Sequence, residues 1–366
     1  CVLSFFMASV ALAGSPVGNR WDKTKPISYT FSADMEEHKK SMMREAIQMI
    51  QNSSCISFEE AGDSDQKLVV SRKWWCMSSI LGKEQSGPNE IGIWGCNTTV
   101  TFAHELLHML GFTHEEARSD RDDYVTFVPS VPKGAIERKA PADTDNFGVP
   151  FNYGSALMSS AWYYKEIPEA TMLPKDRQYI DTIYQQYEIA FTDFLALNRF
   201  YKCEESCESN QPLCENEGFP NPRDCSKCIC PPFYSGALCN QSTLEKVDSE
   251  TLFNYTIGPY YGLCYFTNTW ENHLPHTPTI YEGPPGSHLL VTITKIDGAD
   301  QFCMNECPLA RLEIVDGADL RVAGKSFCCP DNASTTVLSS NSRVAIRASA
   351  PGCLESHMEA KISVVN

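Results

Sequence analysis

The chain has few basic residues for its length. Its 366 residues include 30 Lys and Arg against 46 Asp and Glu, which gives a formal net charge of −16 at pH 7. A nucleic-acid duplex or an anionic lipid surface would repel such a chain, so we expect neither as a partner. The simplest interpretation of the acidic excess is solubility.

Long apolar runs are also scarce. A membrane-spanning helix needs about 20 apolar residues, and residues 1–13 form a shorter run ending in Ala11-Leu-Ala13, which is typical of signal-peptidase sites. We predict that residues 1–13 are the hydrophobic part of a signal peptide. The run starts at Cys1 rather than Met and lacks a basic segment, which fits a signal peptide that is incomplete at its start. No other stretch has the composition of a membrane anchor.

Cysteine, in contrast, is abundant. Seventeen Cys are too many for a reducing cytosol unless they bind metal, and most lack zinc-finger spacing, so we predict disulfides in a secreted, extracellular protein. Removing Cys1 with the signal peptide leaves an even number. Five glycosylation sequons agree with secretion. They lie at Asn52, Asn97, Asn240, Asn254 and Asn332.

Only eight histidines occur, yet three of them lie within residues 101–115. His104 and His108 are four apart in a run without Pro or Gly, so on a helix they share one face and can take two corners of a tetrahedral zinc site. Gly111 can end this helix in a left-handed conformation, and the chain then turns back to bring in His114. Three protein ligands leave one coordination position open, as catalytic zinc sites do. We predict one Zn²⁺ per chain.

Glu105 follows the first of these histidines. At that position a carboxylate can reach a water on the metal and take its proton. An isolated H-E-x-x-H is a modest signal, but the Gly and the third His also fall at metzincin spacing. The alternative is three histidines placed separately for packing or solubility, which this spacing disfavours.

The surrounding pattern predicts an α/β-type (α+β) domain. Met35, Met42 and Met43 recur near helical spacing, and such a stripe is more typical of core packing than of a cofactor site. Residues 129–150 are rich in Pro, Asp and Gly and are expected to be irregular. We predict strands over residues 20–32, 55–58 and 67–71, and helices over 35–51, 100–110 and 192–201.

Residues 104–122 resemble the signature of the astacin zinc endopeptidases, a branch of the metzincins. The resemblance rests on the run HELLHMLGFTHE and on the charged residues behind it, Arg118, Asp120, Arg121 and Asp122. A Glu directly after the third His, here Glu115, is the astacin choice. The resemblance extends over residues 20–203 and implies a zincin-like catalytic domain at residues 14–203.

The same resemblance implies further features of this domain. It implies two disulfides, Cys55–Cys203 and Cys76–Cys96, and it implies that Glu115 binds the buried N-terminus of the mature chain. Cleavage after Ala13 would place that terminus at Gly14. Astacins usually carry a pro-segment that blocks the zinc, and none separates the signal peptide from this domain. Either the chain needs no zymogen step or the sequence is truncated.

The stretch at residues 152–160 resembles the family's Met-turn but departs from it. Aligned on the Tyr and Ser of the motif, the methionine beneath the zinc becomes Leu157, and the tyrosine that stabilises the oxyanion becomes Ser159. Sliding the register by one residue restores Met158 but leaves Ser160 in place of the tyrosine. The first replacement is near-isosteric and costs about 1 kcal/mol or less.

The loss of the tyrosine is the more serious departure. Losing one oxyanion donor costs on the order of 10²–10³ in rate. Tyr163 or Tyr164 could supply a hydroxyl in its place; otherwise we expect catalysis to be weaker. Zinc binding is expected to be unaffected.

Two smaller modules are predicted after the catalytic domain. Residues 204–239 contain six Cys and too few apolar residues for a core, and their ending resembles an EGF-like module more than the alternative, a metal knuckle. Residues 240–366 form the second predicted module, in which residues 264–366 alternate with period two, as in an all-β sandwich. Their position and the run Phe327-Cys-Cys329 resemble the CUB domain of nematode astacins. Such modules usually bind proteins or restrain the enzyme, and a passive spacer is the alternative.

We therefore predict a multidomain, secreted zinc metalloendopeptidase that hydrolyses internal bonds of extracellular proteins or peptides, with Glu105 as general base. A matrix protein is a further expected partner of the CUB-like domain. The alternative is a weakly active or inactive zinc-binding protein that acts as a matrix or cuticle binding protein. The departures at Leu157 and Ser159 favour the alternative, and the intact Glu105 favours the enzyme.

Overall fold

The computed structural model describes residues 19–366 except 74–75, 79, 85–88, 132–135, 164–166, 168, 186, 211, 258–272, 276, 298–302, 304–305, 308–309 and 352–355. The predicted signal peptide, Gly14, Tyr164, Cys264 and Cys353 lie outside the described residues. The described part contains, in chain order, a mixed α/β unit, a small disulfide-linked segment and a β-sandwich. None of its helices is both long and apolar enough to cross a bilayer.

The N-terminal unit is built on a five-stranded sheet of order β2-β1-β3-β5-β4. Neighbouring strands are parallel except β4, which runs antiparallel to β5 at the sheet edge. The predicted first strand is shortened because the chain turns at Asp22–Lys25 before entering the sheet. The strands are β1 (Ile27–Phe31), β2 (Phe58–Glu60), β3 (Lys67–Ser71), β4 (Cys76–Ser78) and β5 (Asn89–Ile93).

Three α-helices accompany this sheet. They are α1 (Glu37–Asn52), α2 (Thr99–Met109) and α3 (Phe191–Tyr201). Helix α1 packs against α2, and α2 contacts β4 and β5. Met43, Leu106 and Leu197, one from each helix, are fully buried in one core. The predicted methionine stripe is therefore core packing: Met35, just before α1, and Met43 are buried in this core, and Met42 packs against it.

The described residues between α2 and α3 are mostly irregular, in agreement with the composition of residues 129–150. Strands β6 (Val125–Phe127) and β7 (Met172–Pro174) form a two-stranded ladder over a second, smaller core. Short 3-10 turns punctuate the rest of this part, at Glu115–Ala117, Arg121–Asp123, Pro141–Asp143 and Arg177–Tyr179. Backbone hydrogen bonds between distant parts of this connection, such as Glu115 N–H to Leu157 O and Thr171 N–H to Ala161 O, hold it together.

Disulfides occur within the N-terminal unit and within the segment that follows it. Cys55 is bonded to Cys203, and Cys76 is bonded to Cys96. A 3-10 helix (Cys203–Asn210) leads to a small ladder of β8 (Phe219–Pro220) and β9 (Cys228–Ile229). The six cysteines around it pair as Cys207–Cys225, Cys214–Cys228 and Cys230–Cys239. Because each sulfur is in a disulfide, the metal-knuckle alternative is wrong.

The C-terminal part is a sandwich of two sheets around one apolar core. One sheet has the order β10-β13-β18-β15-β16, with β12 also paired to β18, and the other has the order β11-β19-β14-β17. All pairs are antiparallel except β10 with β13. The strands of the first sheet are β10 (Thr243–Lys246), β12 (His273–Pro275), β13 (Thr279–Glu282), β15 (Arg311–Val315), β16 (Lys325–Phe327) and β18 (Arg343–Pro351). Those of the second are β11 (Glu250–Ile257), β14 (His288–Asp297), β17 (Thr336–Leu338) and β19 (Ser356–Val365).

Candidate metal centre

Local sequence sets both ends of α2. At the N-terminus Thr98 and Thr101 cap each other, because each hydroxyl accepts the other residue's backbone N–H at 3.2 Å. Most of the helix is buried, including Phe102, whereas His104 and His108 are only half-buried. At the C-terminus Gly111 has φ = 110°, a conformation that a side chain would strain. This glycine turns the chain back toward the helix, as predicted.

The Nε2 atoms of three histidines converge beside this helix. Nε2 of His108 lies 2.9 Å from that of His104 and 3.1 Å from that of His114, and the third separation is 3.3 Å. No other cluster of this kind, three potential metal ligands within reach of one ion, occurs in the described part of the chain. Nitrogens at the tetrahedral Zn–N distance stand roughly 3.3 Å apart. The triad therefore fits a zinc ion with a slight expansion.

Hydrogen bonds behind two of the rings fix which nitrogen faces the metal position. Nδ1 of His104 lies 2.7 Å from the Ala156 carbonyl oxygen, and Nδ1 of His108 lies 2.6 Å from that of Phe112. A carbonyl oxygen only accepts, so both Nδ1 atoms carry the proton and both Nε2 atoms present a lone pair. Burial lowers the pKa of His104 to about 4 and that of His108 well below its ordinary value, so both rings are neutral as metal ligands must be.

The third ring, His114, is held by a carboxylate. Its Nδ1 lies 3.3 Å from Oε1 of Glu116 and 3.1 Å from the Ser159 hydroxyl. Burial acts to lower the pKa of His114, but the Glu116 carboxylate outweighs it and raises that pKa. Glu116 is 2% exposed and also accepts the Ser159 N–H at 3.1 Å. A carboxylate behind a ligating imidazole orients the ring and increases its basicity.

Glu105 lies on α2 between the histidine face and the edge strand β4. Its carboxylate accepts the backbone N–H of Ser78, and its side chain is 4% exposed. Burial raises the pKa of Glu105 to about 7, although the Ser78 amide lowers it. A carboxylate with a pKa near neutral can both take and return a proton at physiological pH.

Glu115 lies on the other side of the turn and faces away from the triad. Its Oε1 accepts the Asn152 N–H at 2.9 Å and lies 3.2 Å from Nη1 of Arg118, which in turn pairs with Asp120. Burial raises the pKa of Glu115 to about 7, against the effect of Arg118. The side chain lines a small cavity together with Asp193. Residues 1–18, where the predicted N-terminal partner of Glu115 lies, are outside the described part.

The Met-turn candidate lies directly beneath the triad. Leu157 packs in the same core as Leu106 and Leu107 of the zinc helix, whereas Met158 packs in the separate smaller core beside β6 and β7. The Leu157 carbonyl accepts the Glu115 N–H at 3.0 Å. This arrangement favours the register in which Leu157 takes the methionine's place and Ser159 the tyrosine's. Of the two candidate replacements for that tyrosine, Tyr163 is 60% exposed.

Two carboxylates at this site were missed by sequence reasoning. Glu116 lies in the signature run directly after His114 and Glu115, and this position was the only feature of the sequence that could have identified it. Asp193 gave no signal at all: it lies near the start of α3, 37 residues from Ala156. It accepts the Ala156 N–H at 2.8 Å and the Ser155 hydroxyl at 2.6 Å, and so holds the carbonyl that binds His104.

The predicted glycosylation sites differ from one another in exposure. Four of the five asparagines are exposed, whereas Asn332 is half-buried and its Oδ1 accepts the N–H groups of Cys328 and Cys329. The exposed ones are Asn52, Asn97, Asn240 and Asn254.

Comparisons with known proteins agree with the resemblance in the sequence. The family model described as Astacin, a peptidase family, matches residues 15–202. The chain is 28% identical over 347 residues to zinc metalloproteinase nas-28 of Caenorhabditis elegans, covering 90% of this chain and 68% of that protein.

Two further relatives come from the same organism. Identity is 31% over 313 residues to zinc metalloproteinase nas-31, covering 82% of this chain and 49% of that protein. It is 31% over 332 residues to zinc metalloproteinase nas-25, covering 81% and 78%. The chain thus spans about half the length of nas-31 and between two thirds and four fifths of the other two.

Proposed function

Since the chain belongs to the astacin family of zinc metalloendopeptidases, we propose that it is a secreted enzyme that hydrolyses internal peptide bonds of extracellular proteins. The observation that carries the proposal is one arrangement of side chains. The Nε2 atoms of the three histidines meet within 3.3 Å of one another, and the buried Glu105 lies on the helix that carries two of them. That arrangement combines a metal site with a proton acceptor.

The three histidines would hold one zinc ion. Three lone pairs at this separation repel one another unless a cation lies between them. His104 and His108 are oriented by backbone carbonyls, and His114 by Glu116. When bound, zinc lowers the pKa of a water molecule toward neutral and polarises the scissile carbonyl.

Glu105 is proposed as the general base. Its carboxylate would take the proton of the attacking water and pass it to the leaving amine nitrogen. The Ser78 N–H holds one carboxylate oxygen, so the other is available for the proton. Because Ser78 lies on the edge strand β4, the proton acceptor is fixed relative to that strand.

Ser159 is the point at which we expect this enzyme to differ from its relatives. Its hydroxyl lies behind His114, on the Nδ1 side, where it cannot reach a carbonyl at the open metal position. Without that hydroxyl, a bound zinc ion would have to supply most of the stabilisation of the developing negative charge. Turnover is then lower by on the order of 10²–10³ than with a tyrosine hydroxyl in place.

The proposal extends to location and to the remaining modules. Secretion is supported by the seven disulfides among the described residues and by the four exposed sequon asparagines. We assign residues 204–239 to an EGF-like module and 240–366 to a CUB-like domain that contacts other extracellular proteins. The alternative of an inactive binding protein has no support among the relatives, which are described as zinc metalloproteinases.

Glu105→Gln tests the proposed mechanism. Glutamine keeps an oxygen for the Ser78 N–H but cannot take a proton, so hydrolysis of an unfolded protein should fall by at least about 10²-fold while zinc stays bound. The matched control is Glu245→Gln, which changes an exposed carboxylate on β10 and should hydrolyse at the wild-type rate. Equal rates for the two variants would overturn the role of Glu105.

A further inference from the structure

The β-sandwich contacts the catalytic unit at the segment that forms the floor of the metal centre. Backbone N–H of Ala323 donates to Oδ1 of Asn152 at 3.0 Å. The Thr182 hydroxyl donates to the Gly324 carbonyl at 2.9 Å and accepts the Ser326 N–H at 3.0 Å. The first contact joins the segment before strand β16 to the Met-turn region, and the other two join the start of that strand to Thr182.

Gly154 makes this approach possible. A Cβ atom built on it would lie 2.4 Å from Cβ of Ala323, so any side chain there would displace the sandwich. The chain at Gly154 and the chain at Ala323 are therefore packed directly against each other, which would not be required of a module that moves freely on a tether.

Glu306 lies between β14 and β15 of the sandwich and contacts residues just after the Met-turn. Its Oε1 accepts the Ala161 N–H at 2.9 Å, its carboxylate also binds the Ser160 hydroxyl, and its own N–H donates to Oδ1 of Asp181 at 3.1 Å. Two disulfides, Cys303–Cys329 and Cys307–Cys328, bracket Glu306 and tie its segment to the sandwich.

Glu306 binds Ser160 and Ala161, which directly follow a hydrogen-bonding partner of His114. Ser160 follows Ser159, whose N–H and hydroxyl contact Glu116 and His114. Ala161 is fully buried, so its N–H would lose a partner in the protein interior if Glu306 were removed. The chain of contacts runs from the sandwich through two residues to the imidazole.

We propose that Glu306 of the C-terminal sandwich is a positioning residue for the zinc site, which fixes Ser160 and Ala161 and thereby holds Ser159 and Glu116 against His114. The proposal rests on the zinc site of the proposed function but not on peptide hydrolysis. It makes the sandwich part of the frame of the metal centre, so zinc affinity depends on a residue about 190 positions away in sequence.

The test compares zinc dissociation constants of full-length variants, measured by competition with a chelator. Removing an outer partner of a metal ligand weakens binding about 10- to 100-fold, and Glu306 acts one step further out, so Glu306→Ala should weaken zinc binding by about 3- to 10-fold. Glu306→Gln keeps an acceptor for the Ala161 N–H and should bind zinc like the wild type. Lys325→Ala is the matched control.

Lys325 crosses the same interface to Asp176 and Gln178 but does not contact the segment 159–161. Its replacement should leave zinc affinity unchanged. Wild-type affinity in Glu306→Ala with an unchanged thermal transition, or an equal loss in Lys325→Ala, would overturn the proposal. If Glu306→Ala does not fold, Glu306→Asp is measured instead. Because its side chain is shorter, the proposal predicts weaker zinc binding, and an unchanged affinity would contradict the role of Glu306.

Hydrolysis is measured separately on the same variants. A wild-type chain that binds zinc without cleaving peptides would contradict the proposed function, while the affinity comparison would still decide the role of Glu306. A wild-type chain that binds no zinc would overturn both.

Discussion

The Ser159 hydroxyl lies 3.1 Å from Nδ1 of His114, on the far side of the imidazole from the nitrogen that faces the other two histidines. Where relatives are expected to place a tyrosine near the reaction, this chain has a small hydroxyl that supports a ligand from behind. Glu116 occupies the same side of the ring. The third ligand is therefore oriented by two side chains, whereas the first two are oriented by backbone carbonyls.

Glu116→Ala is expected to weaken zinc binding by about 10- to 100-fold, the range found for outer partners of metal ligands. The variant removes both the carboxylate behind His114 and the acceptor of the Ser159 N–H. Chelator competition at neutral pH measures the effect. Glu137→Ala, which removes an exposed carboxylate paired with Lys139, is the control, and equal affinities for the two variants would contradict the role of Glu116.

Leu157 and Met158 allow the register of the Met-turn to be tested. Leu157→Ala opens a cavity in the core beneath the zinc helix and should cost about 2–5 kcal/mol in the free energy of unfolding. Leu157→Met is near-isosteric and should cost less than about 1.5 kcal/mol. Urea unfolding measures both.

The zinc dissociation constant then distinguishes the two positions. It should rise in Leu157→Ala more than in Met158→Ala, because only Leu157 packs against the zinc helix. The reverse order would place Met158 beneath the metal.

Glu306 should make stability depend on pH. Burial raises the pKa of this carboxyl to about 7; the Ser160 hydroxyl and the Ala161 amide oppose the increase, and Asp181 adds to it. In the unfolded chain the value is near 4.3. Between these two values the folded chain binds more protons than the unfolded chain, so this group lowers the free energy of unfolding as the pH rises from about 4.5 to 7.

The glutamine in Glu306→Gln cannot ionise, so this variant does not show that decrease in the free energy of unfolding. Its free energy of unfolding relative to wild type should therefore increase between pH 4.5 and pH 8, by on the order of 2 kcal/mol. Unfolding of both chains in identical buffers cancels the contribution of the other groups. A difference that stays constant over this range, or that falls, would contradict the raised pKa of the half-buried Glu306.

Sequence reasoning reached the metal ligands because they lie within eleven residues. His104 and His108 are four residues apart on one helix, and Gly111 ends that helix. Local rules of helix geometry were therefore sufficient to predict how they are arranged. The alternation in residues 264–366 likewise predicted a sandwich, and the described strands form one.

Local rules could not predict the residues that come from distant segments. Asp193 supports Ala156 across 37 residues, and Glu306 reaches Ala161 across 145, so neither follows from helical or strand periodicity. Element ends were also missed. The strand expected over 55–58 forms instead at Phe58–Glu60, where β2 can pair with β1.

The most direct test of the account is hydrolysis of an unfolded protein by zinc-loaded chain, with and without a zinc chelator. We predict one zinc per folded chain, cleavage at internal peptide bonds, loss of cleavage with the chelator and recovery when zinc is restored. A folded chain that holds one zinc and leaves the substrate intact would contradict the assignment of this site as a peptidase.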